Sequence, residues 1–141
     1  MATDNHHRSV TVERTAPGRF TVGNERGGQI TIGTGEDADF TPTELLLAAI
    51  GGCTAIDVDI FTTRRSEPEH FEVVAEGDKI RDGGGNRLRD LSVTFDVAFP
   101  EGEGGDRART LVPDAVQKSH DRLCTVGRTV ELGTPIATKI V

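Results

Sequence analysis

Two cysteines, Cys53 and Cys124, are the side chains of this sequence best suited to redox or nucleophilic chemistry. A thiolate can cleave an O–O bond, and the sulfenic acid that results must be captured before it oxidises further, so two thiols are the smallest kit for such a reaction. Free cysteine is also among the most buried residue types, and spacing alone favours two small inert core residues, because reactivity needs a lowered pKa that a sequence does not display. A metal site is not expected, and no cofactor is expected either: the two cysteines lie far apart, and the four histidines complete no recognised ligand spacing. His6 and His7 read as a solvated tail, and His70 and His120 as exposed or hydrogen-bonded residues.

Cys53 lies in the least polar stretch, TPTELLLAAIGGCTAIDVDIFTTRR. Thr41 is placed to cap a helix, Pro42 to open it, and Glu44 to complete a capping box, which predicts a helix over about 42–65. The middle of that helix is apolar or tiny, so it should be buried on most sides. Gly51 and Gly52 each cost about 1 kcal/mol relative to alanine, which implies close approach by a neighbouring backbone or ligand. Asp57 follows Cys53 by four residues, about 40° around the same face. Ionised and unpaired, it would raise the thiol pKa, so an arginine partner such as Arg128, or one from a partner subunit, is expected if Cys53 is activated. Otherwise Asp57 and Asp59 would serve buried polar groups.

Cys124 directly follows a second expected helix, RARTLVPDAVQKSHDRL, with Pro113 in its first turn and an end near Leu123. Elsewhere the period is that of strands. SVTVERT, GRFTVGN and GQITIG form a meander broken at Pro17-Gly18 and Gly27-Gly28, and the acidic segment GTGEDADF reads as a loop. HFEVVAEGDKI and RLRDLSVTFDVAFP form a hairpin around RDGGGN, whose glycines supply the turn. EGEGGD breaks the pattern, and two last strands are expected near 126–132 and 135–141, pivoting on Gly133. Strands and helices so segregated predict an α+β fold.

The 141 residues suit one domain, taken as 9–141 after a flexible tail over 1–8. With 23 acidic and 16 basic residues the net charge is −7, which disfavours nucleic acid and anionic membranes as partners. The polar start MATDNHHRSV, with no apolar run approaching bilayer length, predicts neither a signal peptide nor a membrane anchor, hence a cytoplasmic protein whose thiols are kept reduced.

The run FTPTELLLAAIGGCTAIDV, followed later by SHDRLCTVGRTV, resembles the paired signature of the OsmC/Ohr superfamily, and the likeness extends over nearly the whole chain, closer to the OsmC-like members than to Ohr proper. The resemblance implies an OsmC-like intertwined homodimer with long central helices packed against antiparallel sheets and active sites at the subunit interface. It implies reduction of organic hydroperoxides, with Cys53 as peroxidatic nucleophile, Cys124 as resolving thiol, and a dithiol or lipoyl-type reductant closing the cycle. Active members also use an arginine to hold the thiolate and a glutamate to position it. Arg19 is the favoured match for the arginine, with Arg26 as the other residue of the meander and Arg128 as a local alternative. The family's glutamate stands one residue after the helix-opening proline, where this chain has Thr43, and the nearest carboxylate is Glu44, which also suits a purely capping role. Phe40, Leu46, Leu47 and Ile50 would line an apolar substrate pocket. The alternatives are a non-catalytic dimer binding a small apolar ligand, an oxidant sensor without turnover, and a structural or regulatory domain with inert thiols.

Overall fold

The computed structural model describes residues 6–141. Of the expected tail over 1–8, residues 1–5 lie outside the described residues, and His6, His7 and Arg8 are exposed and without regular structure. The chain forms two compact units, the first ending at Leu46 and the second running from Leu47 to Val141.

The first unit is the meander. Strands β1 (Val10–Ala16), β2 (Arg19–Asn24) and β3 (Gln29–Ile32) pair antiparallel in the order β1-β2-β3. Val12 pairs with Val22 and Val22 with Ile30, so the apolar member of each alternating pair stays on one face. The acidic segment after β3 is irregular, as expected, and meets β3 only at a bridge between Ile32 and Phe40.

Helix α1 (Pro42–Thr63) begins where the sequence places it. The Glu44 backbone N–H donates to Thr41 Oγ1 (3.2 Å), and the Thr41 N–H and hydroxyl donate to Glu44 Oε1 (3.0 and 2.9 Å), a complete capping box. Two expectations about this helix need correction. Its best 18-residue window has a mean hydropathy of 1.7, so by length and composition it is apolar enough to cross a membrane. Only 22% of that window is buried within the chain, so the helix is not enclosed on most sides.

The second unit pairs β4 (His70–Asp82) with β5 (Gly85–Ala98) in one long hairpin. Its turn is tied by Asp82, whose carboxylate accepts from the Gly84 N–H (2.9 Å) and from Arg87 (2.7 Å). A bulge sets Asp78 opposite Arg89 and Glu76 opposite Ser92, with Asp90 at φ 53°. Such a bulge bends and twists the strand that carries Leu91, Val93 and Phe95. Strand β4 lies close on α1: a Cβ added at Gly51 would come 3.1 Å from Ala75 Cβ, which accounts for that glycine, whereas the space around Gly52 is open.

The second helix, α2 (Glu103–Lys118), starts inside EGEGGD, so Pro113 is an interior residue and not a first-turn one. Two of the three glycines that read as a pattern breaker, Gly104 and Gly105, are steric necessities. A Cβ at Gly105 would sit 1.7 Å from Pro100 O, and one at Gly104 would sit 2.7 Å from Arg65 O. The helix then widens into a π-helical turn, Ser119–Leu123. The strand expected at 126–132 is instead helix α3 (Thr125–Leu132). Its β-branched residues favour a strand, but Cys124 caps the helix start and Gly133, at φ 63°, closes its end as a left-handed cap, so that glycine is no hairpin pivot. The other expected strand, 135–141, has no regular structure.

Candidate functional site

The two cysteines come together in the second unit. Cys53 projects from α1 and is partly exposed, and Cys124, at the junction of the π turn with α3, is 4% exposed. Both are free thiols. Burial pushes the Cys124 thiol up from its ordinary value; the Gly127 N–H, which donates to Cys124 Sγ at 3.2 Å, pulls it down. The neighbouring Cys53 thiol, and after it the charge of Asp57, push it up again. The net direction is upward, so Cys124 rests as a protonated thiol at neutral pH.

Beneath the cysteines lies a buried polar knot. Ser119, wholly buried, places its Oγ 2.8 Å from Thr54 Oγ1 and 2.8 Å from Asp57 Oδ2. An ionised carboxylate only accepts, so the single Ser119 proton goes to Asp57 and the Thr54 hydroxyl donates to Ser119. Asp57 is therefore satisfied by a hydroxyl. The arginine partner expected for it is absent among the described residues, and Arg128 is exposed on α3. The alternative expectation, that Asp57 serves a buried polar group, matches what is seen.

Arg19 is engaged within the first unit by Asp37 and Asp39 of the acidic segment. Hydrogen bonding to Asp37 leads the causes that raise its pKa. Asp37 in turn is held below the usual carboxylate range, first by the Asp39 backbone N–H and then by Arg19. Arg26 lies exposed in the turn after β2, its backbone N–H bonded to Asn24 Oδ1. Glu44 is bound to Thr41, whose backbone N–H and hydroxyl lower its pKa. The acidic segment looked like plain loop in the sequence, and its run of three acids was the available sign that it would hold a cation.

An apolar cavity of about 460 Å³ opens beside Cys124, lined by Ile50 and Thr54 of α1, Val93 and Phe95 of β5, Val116 of α2 and Val130 of α3. Of the four residues expected to line a pocket, Ile50 lines this cavity and the other three do not; Leu46 and Phe40 are 41% and 54% exposed. The rim is polar. His120 Nε2 lies 3.0 Å from Glu131 Oε1 and Nδ1 lies 3.1 Å from Asp121 Oδ1, and hydrogen bonding to Asp121, then to Glu131, raises the histidine pKa. This polar rim had no separate signal in the sequence, because Glu131 was read as part of a strand. Among the described residues no cluster of histidine, cysteine and carboxylate is fit to hold a metal ion.

The chain belongs to the OsmC-like protein family, whose model matches residues 33–139. It is 32% identical over 133 residues to an uncharacterized protein of Mycobacterium tuberculosis, covering 92% of this chain and 93% of that one. Among solved structures, an OsmC-like protein of unknown function from Vibrio cholerae superimposes with a TM-score of 0.73 at 15% identity, over 90% of this chain and 95% of the other. The organic hydroperoxide resistance protein OhrB of Bacillus subtilis gives a TM-score of 0.54 at 16% identity, over 88% of this chain and 90% of its own. At these identities the structural likeness is one of fold.

Proposed function

We propose that this protein reduces hydroperoxides with apolar tails, using Cys53 as the attacking thiol and Cys124 as the resolving one, in defence against oxidative stress. The observation that carries the reading is the meeting of two free thiols, distant in sequence, one of which, Cys124, lines an apolar cavity of about 460 Å³, a size suited to a small organic molecule. The Cys53 thiolate attacks one peroxide oxygen, an S–O bond forms as the O–O bond breaks, and the departing alkoxide takes a proton to become the alcohol. The Cys124 sulfur then attacks the sulfenic sulfur, the S–O bond breaks, and hydroxide leaves with the Cys124 proton as water. An external dithiol, of lipoyl type by family analogy, returns two electrons and two protons. Cys53, the more accessible thiol, suits the first step, and the sheltered, protonated Cys124 suits the second.

The working unit we propose is a homodimer. Helix α1 leaves Ile56 63% and Ile60 49% exposed, an apolar face that calls for a protein partner. The cytosol is the compartment in which the cycle would be sustained.

A second reading, oxidant sensing without rapid turnover, is favoured by the charges. Arg19 is already neutralised by Asp37 and Asp39, and Glu44 is occupied at the helix cap.

The test is intact mass and free-thiol count after one equivalent of cumene hydroperoxide is added to reduced protein, with Cys53→Ser and Cys124→Ser as controls. Loss of both thiols within seconds, with a two-hydrogen mass loss blocked by either substitution, is the expected result, and sustained turnover with a dithiol separates reductase from sensor. Thiols untouched over minutes would rule out both.

A further inference from the structure

Cys124 has to reach the Cys53 sulfur, and the structure contains a device that sets the approach. The π turn holds one more residue per hydrogen-bonded loop than an α-helix, and it is closed by the Cys124 backbone N–H donating to Ser119 O at 2.8 Å. The side chain of the same Ser119 is fixed to α1 at two points, Thr54 and Asp57, which are the residue after Cys53 and the residue one turn beyond it. Its burial is complete and Thr54 is buried as well, so the bond between the two hydroxyls is shielded from water, and among the described residues the Ser119 hydroxyl bonds only to Thr54 and Asp57.

We propose that Ser119 is the positioning residue for disulfide closure, its hydroxyl fixed to α1 around Cys53 and its carbonyl oxygen holding the backbone of Cys124. The proposal rests on the cysteine pair described above and adds the residue that sets their approach. Ser119 touches neither sulfur. It acts by fixing the origin of the π turn, and with it the place where the chain delivers Cys124. Without the hydroxyl, Thr54 loses its acceptor, Asp57 its donor, and the π turn its anchor on α1. The sulfenic acid on Cys53 then waits longer for its partner and becomes open to further oxidation.

The experiment is a partition. Reduced protein receives one equivalent of cumene hydroperoxide in the presence of dimedone, which reacts with sulfenic acids, and mass spectrometry reads the ratio of Cys53 adduct to Cys53–Cys124 disulfide. Ser119→Ala is expected to raise that ratio about tenfold. Asp57→Ala should raise it in the same direction, while Asp57→Asn, which keeps an acceptor for Ser119, should restore a ratio near that of the wild type; this pair carries the test if Ser119→Ala does not fold. Asp57→Leu, similar in shape to aspartate and without an acceptor, should behave as Asp57→Ala, which separates loss of the acceptor from loss of packing. A parallel series with diamide, which takes two electrons and two protons from a pair of thiols without passing through a sulfenic acid, measures closure independently of peroxide. Slow closure in Ser119→Ala with diamide, in a protein that ignores peroxide, would remove the peroxidase reading and keep the positioning role. Closure of Ser119→Ala at the wild-type rate, or an Asp57→Asn variant as impaired as Asp57→Ala, would overturn the positioning role.

Discussion

At the scale of single residues, the polar side chains divide into those that hold structure and those that remain free for chemistry. Glu44 belongs to the first kind, with two donors of Thr41 on one of its oxygens. Thr41→Ala should cost about 1 kcal/mol of stability, and Glu44→Gln, which retains an acceptor, should cost less when both are unfolded in urea. A fall in thiol oxidation rate in Glu44→Gln out of proportion to its stability loss would return Glu44 to the chemistry. His120 offers a titration. Its folded pKa is raised above the ordinary value by Asp121 and Glu131, with Arg122 acting on Asp121 from the same turn. The stability it contributes is present below about pH 6.5 and lost as pH rises through the higher folded value, so alkaline solution should loosen its link to α3. The imidazole resonances of His120 in an NMR titration should move at a pH above 6.5, and a midpoint at or below that value would contradict the bonds to the two acids. The cysteines and the capping acid were legible from residue type and spacing. Ser119 was not, because a serine in a helical run signals nothing until the fold sets it against Thr54 and Asp57.

At the scale of elements, the sequence was readable wherever one local preference acted alone. The meander, the hairpin and the start of α1 follow from period-two alternation, turn glycines and a capping box, and the structure has all of them. The misreadings occur where tertiary contact overrules propensity. Gly104 and Gly105 read as loop residues, yet they let a helix begin against the backbones of Arg65 and Pro100. Gly105→Ala should therefore destabilise the protein by about 3 kcal/mol or more, despite alanine's better helix propensity. In the open space at Gly52 the same substitution should gain about 1 kcal/mol. Thermal unfolding of the two variants checks the contrast, and a loss at Gly52 would mean that another molecule's backbone packs there. TVGRTVEL was misread for the complementary reason, since its β-branched residues are held in a helix by caps at both ends.

At the scale of the whole molecule, the α+β framework agrees with what the pattern of strands and helices predicts, and family membership with the resemblance carried by the two cysteine motifs. What a single chain does not display is how its apolar surface is used. Leu46, Ile56 and Ile60 of α1 stand exposed, as do Ile136 and Ile140 of the irregular C-terminal segment. If a second copy covers them, part of the stability is borrowed from association and becomes a function of how much protein is present. Each tenfold dilution would then remove about 1.4 kcal/mol of it, so dilution alone would act as a denaturant. The midpoint of thermal unfolding should fall steadily as the protein is diluted from the micromolar to the nanomolar range, and a midpoint independent of concentration would contradict the dimer. A cell making little of such a protein would hold much of it unfolded and open to proteolysis, whereas one making it in quantity under oxidant stress would stabilise each molecule by the presence of the others.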